Sequence, residues 1–179
     1  QAPVTNTLLG KGIFPETHPL SLGMLGMHGT AYANKAMVEA DLIMSIGSRF
    51  DDRIIGKPDR FGRNATIIHV DIDPAEVGKM IKPDIHCIGD AKDVLQELLK
   101  HVGKLDTREW LENLNGYKRK YPLAYKKHGG LKMQHVIDEF YKLTKGKGVV
   151  STDVGQHQMW AAQFWKNDAP NDWLSSGGA

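Results

Sequence analysis

Polar residues follow each of the four clearest predicted strands of the sequence. They lie at residues 47–53, 71–73, 89–90 and 153–157. In open parallel sheets, ligands bind outside the carboxyl ends of the strands. A carboxylate at such an end can accept hydrogen bonds from ribose hydroxyls, and Arg49 can bind a phosphate through two parallel hydrogen bonds. The pattern therefore predicts a nucleotide site.

A structural interpretation of the same residues stays open. Asp73 and Asp90 stand where they can cap helices, and Asp51, Asp52 and Arg53 can form a surface ion pair. Taken singly, such residues are more often structural than ligand-binding. Four clusters at four strand ends favour a ligand.

Other kinds of site have weaker support. Residues 10–12 begin like a dinucleotide fingerprint, but Pro15 occupies the position of the third glycine and no helix follows directly. The eight histidines form no His-Glu-x-x-His pattern, and the single cysteine, Cys87, has no partner at zinc spacing. We therefore expect neither a metal site nor a catalytic residue within this chain.

Composition excludes several classes of protein. The formal net charge is only +2 and comes without a basic block, so nucleic acid is not an expected partner. The apolar runs are shorter than the ~20 residues of a membrane span, so no membrane association is expected. One cysteine forbids an internal disulfide and suits a reducing, cytoplasmic compartment.

Strands alternate with helices along most of the chain. Apolar and alternating runs predict strands at residues 4–9, 42–46, 66–71, 85–88 and 147–152. The run at 42–46 is typical of a strand buried on both faces. Capping residues and helical spacing predict helices after Thr30, from Asp73-Pro74-Ala75-Glu76, after Asp90 and from Leu131. Residues 13–30 are predicted to form a long ordered loop. The order predicts an α/β fold: an open parallel sheet flanked by helices, plus an incomplete second α/β segment.

Changes in composition predict the domain organisation. We expect a first domain at residues 1–103, a linker with helical pieces at 104–130, and the start of a second domain at 131–179. The cations at 118–127 are interpreted as a solvated face. Because the sequence opens without methionine and closes in glycines, we expect a piece cut from a longer protein at both ends; a natural short chain with frayed ends is the alternative.

Five strings carry a resemblance to a known family. They lie at residues 7–12, 25–30, 47–53, 69–74 and 155–160. In this order they resemble the catalytic large subunit of acetolactate synthase, also called acetohydroxyacid synthase. Gly-Ser-Arg-Phe-Asp-Asp-Arg at 47–53 and Gly-Gln-His-Gln-Met-Trp at 155–160 are the most specific strings, and the resemblance covers essentially the whole chain.

The resemblance implies three α/β domains, with FAD in the middle one and thiamine diphosphate between the first and third. Residues 1–103 would be most of the FAD-binding middle domain, and residues 131–179 the opening of the thiamine diphosphate domain. The implied FAD residues are Thr7, Leu8, Leu25, Gly26, Met27, His28, Gly47, Ser48, Arg49, Phe50, Asp51, Asp71, Ile72, Asp90 and Ala91. Gln156 and His157 would contact thiamine diphosphate. The implied substrate-channel residues are Met27, His28, Asp52, Arg53, Met159 and Trp160.

The implied reaction condenses two pyruvates, or pyruvate and 2-oxobutyrate, with loss of CO2, on the path to branched-chain amino acids. The family's activating glutamate, its Mg²⁺-ligating Gly-Asp-Gly segment and a glycine-rich stretch before the first strand are absent from these residues. We therefore expect no synthase activity and weak or no FAD binding from the chain alone. For the parent protein the resemblance implies 2-oxo acid substrates, a homo-oligomer and a regulatory subunit.

Two rival interpretations stay open. One is a related thiamine diphosphate enzyme of the glyoxylate carboligase or pyruvate oxidase type. The other is a non-catalytic nucleotide-binding domain. Arg53 and Trp160, within their strings, favour acetolactate synthase.

Overall fold

The computed structural model describes residues 1–176. The strands are β1 (Val4–Asn6), β2 (Ser21–Met24), β3 (Leu42–Ile46), β4 (Thr66–Asp71), β5 (Ile85–Ile88), β6 (Val150–Thr152) and β7 (Trp173–Ser175). The helices are α1 (Ala31–Glu39), α2 (Asp52–Ile55), α3 (Ala91–His101), α4 (Arg108–Lys120), α5 (Met133–Thr144) and α6 (Gln156–Phe164), and Pro58–Arg60 forms one 3-10 turn. None of the described helices has the length and apolar character that crossing a membrane requires.

The chain divides into two compact units. Among the described residues, unit 1 contains Gln1 and residues 34–107, and unit 2 contains residues 2–33 and 108–176. The division falls within α1. The predicted boundaries at residues 103 and 131 stay a prediction.

Every strand pair in the described residues is parallel. The sheets have the orders β1-β2, β3-β4-β5 and β6-β7. Parallel strands require crossover connections; the one between β3 and β4 contains α2, and the one between β6 and β7 contains α6. The predicted α/β fold with parallel sheets and flanking helices is confirmed, with its strands distributed over three short sheets.

The sheet of unit 1 buries one side of β3 more deeply than the other. Ile43 pairs with Ile67, and each is 6% exposed. Leu42, Met44 and Ile46, which alternate with the buried residues, are 51%, 36% and 36% exposed. The expectation of a strand buried on both faces was therefore wrong, because successive side chains point to opposite faces and only one face of β3 is covered.

A compact apolar cluster covers that buried face. It consists of Phe50, Ile55, Ile67 and Ile81, with Ile54 and Phe61 packed against them. Its members come from β4, from α2 and from the loops that surround the sheet. The segment after β3 is therefore tied to the sheet by hydrophobic burial.

One predicted helix in unit 1 is absent. Residues 73–82 form turns, although Asp73 does accept a hydrogen bond from the Ala75 N–H at 2.9 Å, as a helix cap would. Gly78 follows with φ 77°, in the left-handed region that ends helices. The helix prediction at Asp73-Pro74-Ala75-Glu76 was wrong: the capping turn forms, but the backbone turns at Gly78 before a helix develops.

Two further expectations were incomplete. The predicted loop at 13–30 contains β2, a strand of four residues that includes Gly23. The predicted helical pieces between 104 and 130 form one continuous helix, α4, of 13 residues. Leu114, which belongs to the predicted apolar stripe of this segment, is 1% exposed.

Unit 2 has its own apolar core. Met24 of β2, Ala161 and Ala162 of α6 and Trp173 of β7 are buried together. Leu8, Ile137 and Val150 pack against this cluster. Elements from the beginning and the end of the chain therefore share one core.

A buried lysine joins the loop after β1 to the end of α6. The side chain of Lys11 is 0% exposed and forms an ion pair of 2.5 Å with Glu16, whose side chain is 6% exposed. The Lys11 ammonium also donates to the carbonyl oxygens of Ala162 at 2.9 Å and Trp165 at 3.1 Å. The Glu16 carboxylate accepts from the Asn167 N–H at 2.7 Å.

Lys11 satisfies groups that a helix end leaves without partners. The last carbonyls of a helix have no intrahelical donor and carry partial negative charge. Burial lowers the pKa of Lys11, and the Glu16 carboxylate opposes that shift. The ammonium of Lys11, the two carbonyl oxygens and the Glu16 carboxylate thus compensate one another in a buried site.

Deletion of a core side chain tests the packing of unit 1. We expect Ile67→Ala to lower the free energy of unfolding by about 2–5 kcal/mol, because it leaves a cavity in the cluster. Ile85→Ala on the neighbouring strand is the matched control, since Ile85 is 54% exposed. Urea unfolding measures both, and equal losses would contradict the described burial.

Removal of the Lys11 charge tests the ion pair. We expect Lys11→Met to cost about 3–5 kcal/mol, because Glu16 would stay buried without its partner. The double variant Lys11→Met/Glu16→Gln should lose less, since it removes the stranded charge as well. Urea unfolding measures the free energy of unfolding of both variants. A double variant less stable than Lys11→Met would show that the two residues are not paired.

Candidate functional site

The polar segments of unit 1 meet at one edge of its sheet. The Gly47 N–H donates to the Val70 carbonyl at 2.8 Å, and the Gly89 N–H donates to the Asp71 carbonyl at 3.0 Å. These bonds continue the parallel registers of β3 with β4 and of β4 with β5. The residues that follow the three strands therefore lie side by side at their carboxyl ends.

The segment after β3 turns sharply so that it buries one residue and exposes its neighbours. Gly47 has φ 62° and Phe50 has φ 54°, both in the left-handed region. Such a backbone costs a non-glycine residue about 1–3 kcal/mol. Phe50 is 4% exposed and meets the rings of Phe61 and His69 edge-on at 5.7 and 4.9 Å. Hydrophobic burial of this ring offsets the strain.

Arg49 projects from this turn toward solvent. Its side chain is 69% exposed, and its guanidinium lies 3.2 Å from the Asp51 carboxylate. Asp51 also accepts the Arg53 N–H at 2.9 Å as the cap of α2. This backbone hydrogen bond is the main reason that the pKa of Asp51 lies below its usual value, with Arg49 a smaller contribution. Asp51 therefore belongs to a surface ion pair, as predicted, but with Arg49, and it also caps α2, a role that the sequence analysis did not predict.

The other two strand-end carboxylates also make local hydrogen bonds. Asp71 accepts the Asp73 N–H at 2.9 Å. Asp90 accepts the Lys92 N–H at 2.8 Å as the cap of α3, which begins at Ala91. The structural interpretation of Asp90 as a helix cap is therefore confirmed, and its role toward a ligand stays a prediction.

His69 lies beneath this edge, although sequence reasoning did not select it. Its side chain is fully buried, with Nε2 at 3.0 Å from the Ser48 carbonyl and 3.6 Å from an Asp71 carboxylate oxygen. Nδ1 has no hydrogen-bond partner among residues 1–176. A histidine inside the apolar strand run 66–71 was the available signal. His69 links the segment after β3 to the end of β4.

In unit 2, a tight turn follows β2 at residues 25–29. Gly26 has φ 93°, and a Cβ on Gly29 would lie 2.4 Å from backbone atoms of Met24 and Leu25. Only glycine fits such an approach without a backbone shift. Met27 is 65% exposed, and the neighbouring His28 is exposed as well. The turn therefore presents these two predicted residues to solvent.

Thr7 and Leu8 lie earlier in unit 2 and have structural contacts. The Thr7 hydroxyl accepts the Gly10 N–H at 3.0 Å. Leu8 packs against the apolar core of the unit. Neither contact tests the predicted role of these residues toward FAD.

The N-terminus of α6 presents the second specific string. Gly155 precedes the helix with φ 152°, and Gln156 and His157 are exposed. Gln158 is buried and donates to the Ser175 hydroxyl at 2.6 Å. Free N–H groups and the helix dipole make such an N-terminus suitable for a diphosphate.

The turn at 25–29 and α6 are connected directly. The Gln163 side chain donates to the His28 carbonyl at 2.7 Å. Met159 and Trp160, on the same helix, are half-buried. Unit 2 thus brings together the turn that carries Met27 and His28 and the helix that carries Met159 and Trp160; sequence reasoning did not select Gln163.

The predicted residues of unit 1 form a second group. Gly47 to Asp51, Asp71, Ile72, Asp90 and Ala91 gather at the sheet edge. Asp52 and Arg53 follow on α2, with 3.8 Å between the guanidinium and the carboxylate, and both are exposed. Within residues 1–176 no set of three His, Cys, Asp or Glu side chains is arranged to hold a metal ion.

Comparison with curated proteins finds several relatives. The chain is 51% identical to the acetolactate synthase large subunit of Cyanidium caldarium, 48% to the chloroplastic acetolactate synthase of Arabidopsis thaliana and 44% to the acetolactate synthase of Mycobacterium bovis. Each match takes in 98% of this chain but only 31%, 27% and 30% of the respective relative. The chain therefore spans less than a third of the length of these relatives.

A family model matches the first part of the chain. Its description is thiamine pyrophosphate enzyme, central domain, and it matches residues 1–98 of the 179. This span includes the sheet edge of unit 1 and the turn at 25–29. The chain therefore belongs to the thiamine pyrophosphate enzyme family.

Proposed function

We propose that the chain is part of the catalytic large subunit of an acetolactate synthase, which condenses two 2-oxo acids with loss of CO2. The observation that carries this proposal is the 44–51% identity to relatives of that name over 98% of the chain. The exposure of Arg49, Asp52 and Arg53, of Met27 and His28, and of Gln156 and His157 supports it, because exposed residues within such specific strings are available to ligands.

FAD is the first cofactor that we propose for the parent protein. The sheet edge of unit 1 suits a nucleotide, since it combines an exposed guanidinium at Arg49 with carboxylates at Asp71 and Asp90. A Cβ built on Gly47 meets no atom within 4 Å, so the backbone there is open to a ligand. These residues, with Ser48, Phe50, Asp51, Ile72 and Ala91, would hold the cofactor. In unit 2, Thr7, Leu8 and residues 25–28 would contribute.

Thiamine diphosphate is the second proposed cofactor, with Mg²⁺ as its metal. The exposed N-terminus of α6, with Gln156 and His157, suits a diphosphate group. When bound, the cofactor supplies the electron sink for decarboxylation. The residues of α6 orient its diphosphate end. No residue within 1–176 is proposed as a metal ligand or as a catalytic residue.

Six exposed or half-buried residues are proposed to contact substrates. In unit 2, Met27 and His28 project from the turn, and Met159 and Trp160 lie on α6. In unit 1, Asp52 and Arg53 are exposed on α2. Thioether and indole groups pack against apolar substrate parts, and a guanidinium attracts the carboxylate of a 2-oxo acid.

Assembly and compartment follow from the same proposal. We propose a homo-oligomer and a separate regulatory subunit for the parent protein; the name large subunit in Cyanidium caldarium supports a second kind of subunit. The compartment is proposed as the cytoplasm, although the Arabidopsis thaliana relative is named chloroplastic. The chain alone is proposed to be inactive, because it corresponds to less than a third of its relatives.

A chimera tests the proposed activity. The matching segment of the Cyanidium caldarium large subunit is replaced by this chain, and acetolactate formation from pyruvate is measured with both cofactors and Mg²⁺ present. We expect kcat/KM within about tenfold of the parent enzyme, because a tenfold loss corresponds to only about 1.4 kcal/mol of transition-state stabilisation.

Two controls accompany the chimera. The isolated chain should form no acetolactate under the same conditions. A folded chimera that binds both cofactors and forms none would contradict the proposal, and a chimera that prefers glyoxylate would support the carboligase alternative.

Substitution of Arg49 tests the FAD edge in the same chimera. We expect Arg49→Met to weaken FAD retention by about 10–100-fold, the value of one hydrogen bond to a charged group. Arg63→Met is the matched control, because Arg63 is an exposed arginine of the same unit outside the edge. Equal FAD dissociation constants for the two variants would argue against the assignment of Arg49.

A further inference from the structure

Unit 2 contains a cavity of about 470 Å³. Its lining includes none of the residues proposed above to contact FAD, thiamine diphosphate or substrate. Its walls come from residues 16–32, from the C-terminal end of α4 and the residues after it, from α5 and from the end of α6. This volume lies within the range of small-molecule sites. The cavity therefore has room for an organic ligand.

Two lysines face this cavity. The Lys118 ammonium donates to the carbonyl oxygens of Pro19 at 3.1 Å and Ser21 at 2.8 Å, which fixes its position. Lys166 is the second cation of the lining and is exposed. Burial lowers the pKa of Lys118, and the positive charge of Lys166 lowers it further. Lys166 is thus close enough to Lys118 for the two positive charges to repel, and an anion between them would relieve this repulsion.

The carboxylates of the cavity wall do not supply that anion. Glu16 is paired with Lys11 at 2.5 Å. Asp138 is paired with Lys142 at 2.7 Å, and this pair also holds the pKa of Asp138 below its usual value. Among residues 1–176, no carboxylate forms an ion pair with Lys118. The wall therefore keeps an excess of positive charge.

The rest of the wall suits an apolar ligand body. Tyr32 and Phe164 supply aromatic rings, and Met24, Pro122 and Leu123 supply aliphatic surface. The Lys118 ammonium lies 6.0 Å from the centre of the Tyr32 ring. Burial raises the pKa of Tyr32, so its hydroxyl stays protonated and able to donate a hydrogen bond. The two lysine ammonium groups and the Tyr32 hydroxyl can bind a carboxylate. The apolar surface beside them suits a ring or a branched chain attached to that carboxylate.

We propose that this cavity binds a small organic carboxylate with an apolar body. Lys118 and Lys166 hold the carboxylate, and the Tyr32 and Phe164 side of the wall holds the apolar part. The site is separate from the residues proposed for either cofactor. Its test needs neither cofactor nor turnover, so the outcome does not depend on the proposed synthase activity.

Titration of the 179-residue chain with benzoate tests this proposal. Benzamide is the matched neutral probe, because it has the same ring and nearly the same size without the charge. Isothermal calorimetry should show saturable benzoate binding and at least about tenfold weaker benzamide binding, the loss of one charge-assisted contact. Inorganic phosphate should also bind at least about tenfold more weakly, since it leaves the apolar wall unused.

Substitutions locate the site. Lys166→Met and Lys118→Met should each weaken benzoate binding about 3–10-fold while leaving benzamide binding unchanged. Lys92→Met is the control, because Lys92 is an exposed lysine of unit 1. Lys166 is exposed, so its variant keeps the test valid if Lys118→Met fails to fold. Equal benzoate and benzamide affinities, equal phosphate affinity, or unchanged binding in Lys166→Met would each overturn the proposal.

Discussion

The parallel pairing of β3, β4 and β5 positions every polar residue at the sheet edge of unit 1. Because the three strands run in one direction, the residues after Ile46, Asp71 and Ile88 meet at the same edge. Antiparallel pairing of any one strand would send its polar segment to the opposite edge. The buried ring of Phe50 and the imidazole of His69 then hold the segment after β3 in place. The parallel strands thus bring Arg49 to the edge of the sheet, and the burial of the neighbouring Phe50 holds the backbone so that Arg49 is exposed.

Unit 2 positions its polar residues by a different interaction, a buried charge at the end of a helix. Lys11 binds the carbonyls of Ala162, in the last turn of α6, and of the C-cap residue Trp165, while Gln156 and His157 lie in the first turn of the same helix. Gln163 connects that helix to the turn after β2. Desolvation of an ammonium is costly, and here a carboxylate and two carbonyls offset it. Lys11 thus fixes the carboxyl end of α6, while Gln156 and His157 at its amino end are exposed.

Sequence patterns predicted β3, β4, β5 and α3 almost to the residue, because apolar runs of strand length and the Asp90 cap are local signals. The turn at residues 73–82 shows the limit, since the cap at Asp73 formed without a helix behind it. The strands β2 and β7 are only four and three residues long, and β2 contains Gly23, so neither has an apolar run that predicts a strand. His69, Gln163 and Lys11 were not selected because their importance comes from tertiary contacts. The roles of the selected site residues toward cofactors stay predictions.

The position of β5 at the end of its sheet has a consequence for the behaviour of the chain in solution. Within the described residues β5 pairs with β4 on one side only, and all four of its residues are exposed, with Ile85 at 54% and Ile88 at 47%. A bare strand with apolar side chains is a template for intermolecular β-pairing. We expect the chain to self-associate through the free edge of β5, and this association increases with protein concentration.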